Sequence, residues 1–132
     1  MILDIRFDYE RLNRLGFVEA IWGEHKNVEQ LKRISKEVLK KKELVFITRL
    51  NAEKAGYLLT IYPQGKFYEE ANCLIIGDLP NKIDNKKKVA IISGGTSDLA
   101  VTQEAKLTLE TYGVECESFI DVGVAGLHRL FS

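Results

Sequence analysis

A glycine-rich turn after an apolar run is the first feature that could do chemistry. Residues 93–98 read SGGTSD and follow the run VAII at 89–92. Glycines let backbone N–H groups approach an anion, hydroxyl side chains add donors, and a helix that follows presents the positive end of its dipole. The segment lacks the Gly-Lys-Ser/Thr ending of a P-loop and the G-x-G-x-x-G pattern of dinucleotide sites. Two interpretations stay open: a phosphate cradle, or a tight turn in which Ser97 or Asp98 caps the helix.

A second polar loop follows the next apolar run. Residues 121–130 read DVGVAGLHRL and come after a strand-like segment at 114–120. Loops at the carboxyl ends of neighbouring parallel strands meet in one crevice, so this loop should face SGGTSD. His128 can transfer protons near neutral pH, and Arg129 can bind a phosphate or carboxylate through two hydrogen bonds. The alternative is an exposed His-Arg pair without a role, and the convergence of the loops favours function.

Cations also follow two strand-like segments in the first half of the chain. Arg49 comes after the run LVFIT at 44–48, and His25 and Lys26 come after a strand-like run at 17–22. Residues of this kind are more often surface residues than ligand contacts. They remain candidates for ligand contacts only because each follows the end of a predicted strand.

The elements that must position these residues alternate between helical and strand patterns. Gly16 is typical of a helix end, the pair Asn27 and Gln30 forms a capping box, and Asn51 is suited to cap another helix. The sequence predicts helices over 8–15, 27–42 and 52–62, with strands over 17–22, 44–48 and 73–77.

The segment DLPNKIDNKKK at 78–88 differs in character and indicates a domain boundary. We therefore predict an N-terminal domain over 1–80, a linker over 81–88 and a second domain over 89–132. The second domain has strands over 89–93 and 114–120 around a helix over 98–112, which makes one right-handed βαβ unit. The predicted buried face of that helix consists of Val101, Ala105, Leu109 and Tyr112.

A single βαβ unit leaves sheet edges and apolar faces uncovered. The first segment, another chain or a continuation of this one could complete the sheet, and we favour a longer protein of which this is the front part. We also expect the open edge to pair with another chain. The predicted class is α/β, a small N-terminal α/β domain followed by the first βαβ unit of a parallel-sheet domain.

Composition excludes several classes of partner. The chain has 132 residues, with 19 basic and 19 acidic side chains, so its formal net charge is zero. Neither nucleic acid nor an anionic membrane is expected as a partner. No apolar run reaches the roughly 18 residues that span a bilayer, and the N-terminus lacks a signal-peptide pattern. Cys73 and Cys116 match no metal or redox spacing, so buried free thiols and a cytoplasmic location are expected.

Both crevice loops resemble those of the aminoimidazole ribonucleotide carboxylase/mutase family, the PurE type. That family has a first loop G-S-x-S-D and a second loop ending in S-A-H-R, where this chain has GGTSD at 94–98 and GLHR at 126–129. The resemblance to the PurE-related LarB family is closer and covers nearly the whole chain. In the second half of the chain it rests on ISGGTSDL, Glu104-Ala105 and DVGVAGLHRL. In the first half it rests on D-x-x-R-x-x-R-x-G-F-x-E at 8–19, G-E-x-K at 23–26 and Thr48-Arg49. Val18 stands in place of the proline that is usual in the family.

The LarB resemblance implies an enzyme of nickel-pincer cofactor synthesis. That family carboxylates the pyridinium ring of nicotinic acid adenine dinucleotide and cleaves its phosphoanhydride, which yields pyridinium-3,5-biscarboxylic acid mononucleotide and AMP. Carbon dioxide or bicarbonate is the co-substrate, magnesium is implicated, and a flavodoxin-like domain and a homo-oligomer are implied. The family's covalent cysteine lies later in its second domain and matches neither Cys73 nor Cys116. We therefore expect this chain alone to be inactive.

The resemblance also implies roles for individual residues. His128 becomes the catalytic candidate, and no metal ligand is assigned. Two alternatives stay open, a PurE-type carboxyaminoimidazole ribonucleotide mutase and a non-catalytic nucleotide-binding or oligomerisation module. Nucleotide and phosphate contacts are implied at Gly94, Gly95, Thr96, Ser97, Asp98 and Arg129, and contacts to a diphosphate or carboxylate at Arg11, Arg14, Lys26 and Arg49.

Overall fold

The computed structural model describes Asp8, residues 10–83 and 88–129, and Phe131. The chain divides into two units, of which the first ends at Asp78 and the second begins at Leu79. Helices and strands alternate in both, which confirms the predicted α/β class. No helix of the described ranges is long and apolar enough to cross a membrane. The elements are α1 (Arg11–Leu15), β1 (Ala20–Trp22), α2 (Val28–Lys40), β2 (Val45–Thr48), α3 (Ala52–Ile61), β3 (Lys66–Tyr68), β4 (Cys73–Ile76), β5 (Val89–Ile92), α4 (Leu99–Thr111) and β6 (Cys116–Phe119).

The first unit is built on a mixed four-stranded sheet with the order β1-β2-β4-β3. Strands β1 and β2 are parallel, and Trp22 pairs with Thr48 at their carboxyl ends. Strand β4 runs antiparallel to both β2 and β3. The loops after β1 and β2 therefore leave the sheet side by side.

The core of the first unit lies between this sheet and helices α2 and α3. Apolar residues spaced three and four apart along α2 form one face, and alternate residues of the strands form the other. All members of this core are at most 4% exposed: Ile21, Leu31, Ile34, Val38, Val45, Ile47, Leu50, Ala55, Leu58, Leu74 and Ile76.

Side-chain caps begin α2 and α3 as the sequence predicts. The Asn27 Oδ1 atom accepts a hydrogen bond from the Gln30 N–H at 2.9 Å, and Gln30 Oε1 accepts one from the Asn27 N–H at 3.0 Å. Asn51 Oδ1 accepts a hydrogen bond from the Lys54 N–H at 2.9 Å. The predicted capping box is thus confirmed, because backbone donors that the first turn leaves unpaired find partners here.

In the second unit, β5 and β6 form a parallel pair joined through α4, with Val89 opposite Cys116. The predicted buried face of α4 is wrong at Val101, which is 67% exposed. Thr102 and Thr111 are buried instead, at 4% and 6% exposure. Each of these two hydroxyls donates to a helix carbonyl, at 2.9 and 2.7 Å, which satisfies it without water.

The expectation that the whole run at 89–93 is buried is wrong as well. Ile92 is 68% exposed and Val89 is 41% exposed. Successive strand residues point to opposite faces of a sheet. Val89 and Ile92 are three positions apart and therefore lie on opposite faces, so β5 is partly uncovered on both faces in the described part of this unit.

Residues 81–83 lie against the turn that follows α4. The Ile83 N–H donates to the Gly113 carbonyl at 2.8 Å. Lys82 and Lys88 both approach Glu115 Oε1, at 3.8 and 3.2 Å. The predicted linker at 81–88 contains residues 84–87, which lie outside the described residues, so the linker stays a prediction.

Candidate functional site

The loops that follow β5 and β6 come together backbone to backbone. The Val122 N–H donates to the Ser93 carbonyl at 3.0 Å, and the Ser93 N–H donates to the Phe119 carbonyl at 2.9 Å. A Cβ atom placed on Gly123 would lie 2.5 Å from the Gly94 carbonyl oxygen. Only glycine fits there, so the two predicted loops meet backbone to backbone at the carboxyl ends of β5 and β6.

The SGGTSD turn is closed by its own carboxylate. Residues Thr96–Asp98 form a 3-10 turn that runs directly into α4. The Gly95 N–H donates to Asp98 Oδ2 at 3.2 Å, and the Asp98 N–H donates to the Gly95 carbonyl at 3.1 Å. The Asp98 side chain therefore caps the turn before α4. Asp98 occupies the N-cap position of α4, as the capping alternative expected, but its side chain makes no capping hydrogen bond to that helix.

This closure defines what the turn still offers to a ligand. The backbone N–H groups of Thr96 and Ser97 donate to no residue in the described ranges, and both side chains are exposed. Two successive free N–H groups at the start of a helix of this length can bind an anion. Asp98 engages Gly95 through one carboxylate oxygen only, which leaves the other for hydroxyl donors.

Arg129 is folded back onto its own loop. Its Nη1 atom donates to Asp121 Oδ1 at 2.6 Å, and its Nε and Nη2 atoms donate to the carbonyls of Gly126 and Gly123 at 3.3 and 3.4 Å. In this arrangement the guanidinium shapes the loop, and a ligand anion has to share it with Asp121. The sequence reasoning missed Asp121, although an acid at the end of a strand, ahead of an arginine in the same loop, was a signal that could have identified it.

His128 lies in the 3-10 segment Val124–Arg129 and is exposed. Gly126 has non-helical angles, φ −144° and ψ 69°, so the segment is kinked. The catalytic role of His128 stays a prediction.

The four predicted anion-binding cations of the first unit occupy two different settings. Arg14 forms an ion pair with Asp8. The Arg11 guanidinium lies 5.0 Å from the centre of the Phe17 ring, a cation–π distance. These two arginines thus have partners near α1. Lys26 and Arg49 lie elsewhere, after β1 and β2.

The loop after β1 is held in place by lysine ammonium groups. Lys54 Nζ donates to the carbonyls of Gly23 and Glu24, at 3.1 and 2.9 Å, and Lys26 Nζ donates to the carbonyl of Trp22 at 3.1 Å. The Gly23 N–H donates to the carbonyl of Thr48 at 2.8 Å. The sequence reasoning missed Lys54, because it lies on α3 and reaches this loop only through the tertiary fold.

Neither cysteine behaves as an activated nucleophile. Cys73 is buried, and Cys116 is partly buried. Burial raises the pKa of the Cys116 thiol, and the nearby Glu110 carboxylate raises it further. A protonated thiol is a weak nucleophile. Within the described ranges, no three His, Cys, Asp or Glu side chains come together as a metal site.

Comparisons with known proteins give a family match for the first unit and one relative that matches most of the chain. The model of the LarB/PurE-like N-terminal domain family matches residues 3–78. An uncharacterized protein of Methanocaldococcus jannaschii, MJ0165, is 33% identical over 133 residues, which cover 96% of this chain and 52% of that protein. The chain thus spans about half the length of this relative.

Proposed function

Because the chain belongs to the LarB/PurE-like N-terminal domain family, we propose that it serves a LarB-like carboxylase and hydrolase of nicotinic acid adenine dinucleotide. In this reaction carbon dioxide, free or from bicarbonate, replaces a ring hydrogen that leaves as a proton. Water cleaves the phosphoanhydride and releases AMP. The other product is the biscarboxylated mononucleotide of nickel-pincer cofactor synthesis. The cysteine that attacks the ring in that family has no counterpart at Cys73 or Cys116, so the proposal for this chain concerns binding.

The observation that carries the proposal is the contact between the loops after β5 and β6. A dinucleotide presents phosphate oxygens, which accept hydrogen bonds, and ribose hydroxyls, which donate them. The N–H groups of Thr96 and Ser97 suit the phosphate, and the open carboxylate oxygen of Asp98 suits a ribose hydroxyl. His128 would take or give a proton at the reacting ring, and Arg129 would share its guanidinium between Asp121 and a substrate anion.

Magnesium is not given a site by this proposal. Asp98 and Asp121 are the carboxylates of these two loops, and within the described residues no three His, Cys, Asp or Glu side chains come together as a metal site. The described residues therefore do not fit a protein-held magnesium ion, and no step is derived through one.

Calorimetry on this chain tests the proposal with nicotinic acid adenine dinucleotide, AMP and aminoimidazole ribonucleotide. We expect the first two to bind and the third not to. Asp98→Asn should weaken AMP binding about tenfold, because a hydrogen bond to a charged acceptor is lost. Glu104→Gln, which removes the same charge from α4, is the matched control and should change nothing. Binding of aminoimidazole ribonucleotide alone would favour the purine enzyme, and binding of none of the three would refute the proposal.

A further inference from the structure

The only tryptophan of the chain, Trp22, is held in an exposed position. It ends β1, an edge strand, and is 51% exposed. Its Nε1 atom donates to Glu24 Oε2 at 3.1 Å, and the His25 ring meets the indole edge to face, with 5.1 Å between ring centres and 63° between planes. The indole is therefore fixed by its own loop without being covered, an arrangement that suits stacking by another ring.

The strand that pairs with β1 is followed by an arginine, Arg49, whose guanidinium is unpaired among the described residues. Arg49 follows Thr48, the residue that pairs with Trp22 across the two strands. Its side chain is exposed and makes no hydrogen bond or ion pair within the described ranges. Its backbone has φ +50°, in the left-handed region that is unfavourable for a side chain of this size. A strained backbone and an unpaired charge therefore coincide one residue after the pairing partner of Trp22.

Glu24, Lys26 and Lys54 are charged side chains that hydrogen-bond within the loop after β1. Glu24 is the acid of the loop after β1, and its Oε2 atom already accepts from the indole N–H. Lys54 Nζ donates hydrogen bonds to two loop carbonyls, and Lys26 Nζ donates a hydrogen bond to one. Lys26 and Arg49 can therefore both donate to an anion.

We propose that Trp22, His25, Lys26 and Arg49 form an aromatic-anion surface, which binds a planar heteroaromatic ring that carries a phosphate or carboxylate. The ring stacks on the indole, and Arg49 and Lys26 bind the anionic group. A purine base and a pyridine ring share this chemistry. The surface lies wholly in the first unit, and its argument is independent of the crevice in the second.

The fluorescence of Trp22 tests this surface directly, because no other tryptophan contributes. We expect AMP, nicotinic acid mononucleotide or both to quench it in a saturable way, and ribose 5-phosphate to bind more weakly. Quenching by only one of the two nucleotides would identify the ring. Ribose 5-phosphate binding as tightly as both nucleotides, or no quenching at millimolar concentrations, would overturn the proposal.

Arg49→Gly is the informative variant, because glycine tolerates the left-handed backbone and the charge is removed without strain. Lys42→Gly is its matched control: Lys42 also has a positive φ, +59°, carries one positive charge and follows α2. We expect Arg49→Gly to weaken nucleotide binding about tenfold and Lys42→Gly to leave it unchanged. Equal effects of the two variants would overturn the assignment of Arg49.

Two further variants test stacking on Trp22 and the site of the second unit one at a time. In Trp22→Leu, calorimetry should show nucleotide affinity falling to that of ribose 5-phosphate, and an unchanged preference for nucleotides would refute stacking on the indole. Asp98→Asn, which tests the crevice of the second unit, should leave the Trp22 quenching intact. Failure of the proposed function and failure of this surface are thus distinguishable.

Discussion

The contact between Gly94 and Gly123 allows a sharp test of the crevice. In Gly123→Ala the new Cβ atom would lie 2.5 Å from the Gly94 carbonyl oxygen, whereas Cβ atoms are essentially never found closer than 3.0 Å to such an atom. The two backbones must therefore separate by at least about half an ångström. Overpacking of this kind costs about 1–3 kcal/mol.

Gly94→Ala is the matched control for this change. The same construction at Gly94 places the nearest atom, Cα of Gly123, at 4.0 Å, and the backbone φ of Gly94 is not positive. The added methyl group therefore meets open space. Because alanine has fewer unfolded conformations than glycine, we expect the stability of the second unit to be unchanged or slightly higher.

Hydrogen exchange of the β5 and β6 amides is the measurement. Each 1.4 kcal/mol of lost stability speeds exchange through unfolding about tenfold, so Gly123→Ala should accelerate these amides between about fivefold and about a hundredfold. Amides of β1 and β2 in the first unit serve as the internal reference. Equal exchange in both variants would show that the loops after β5 and β6 do not meet as described.

Three further predictions concern single side chains. Lys54→Met should lower the free energy of unfolding of the first unit by about 1 kcal/mol, measured by Trp22 fluorescence in urea, because two carbonyls lose their donor. A hydrogen bond from Lys88 holds the pKa of Glu115 below its ordinary value of 4.5, so its contribution to stability is present above that pH and is lost as the pH falls further. Glu115→Gln should accordingly flatten the acid side of a plot of melting temperature against pH, and an unchanged plot would contradict the pairing. Iodoacetamide should alkylate native Cys116 with a pH midpoint above the ordinary 9.0, because burial raises the pKa of its thiol, and a midpoint below 9.0 would contradict this.

Local signals account for most of what the sequence could predict. Asn27 and Asn51 begin helices through hydrogen bonds within three residues, so their side chains alone specify the position. The meeting of the loops after β5 and β6 followed from strand order, since neighbouring parallel strands end at the same edge. Strand β3 was missed, because Lys66–Tyr68 is three residues long and is a strand only through its pairing with β4.

The sequence could not predict fully which residues of α4 are buried, because burial there depends on hydrogen-bonded hydroxyl groups as well as on apolar side chains. Thr102 donates to the Asp98 carbonyl, and Thr111 donates to the Thr108 carbonyl. Once these hydrogen bonds form, a threonine can be buried at little cost in free energy. Val101 can then lie on the exposed side. A pattern that counts only apolar residues therefore places Val101 on the wrong side of the helix.

The role of a cation depends on its partner, and residue type does not reveal the partner. Arg129 and Arg49 both follow strands, and by type both suit a phosphate. Arg129 already binds Asp121 and two loop carbonyls, so an incoming anion must compete with a carboxylate that is covalently tethered nearby. Arg49 has no such competitor among the described residues, and its backbone lies in the left-handed region with φ +50°. In a chain whose charges sum to zero, an arginine left in this state is the stronger candidate for a ligand than one chosen by its motif.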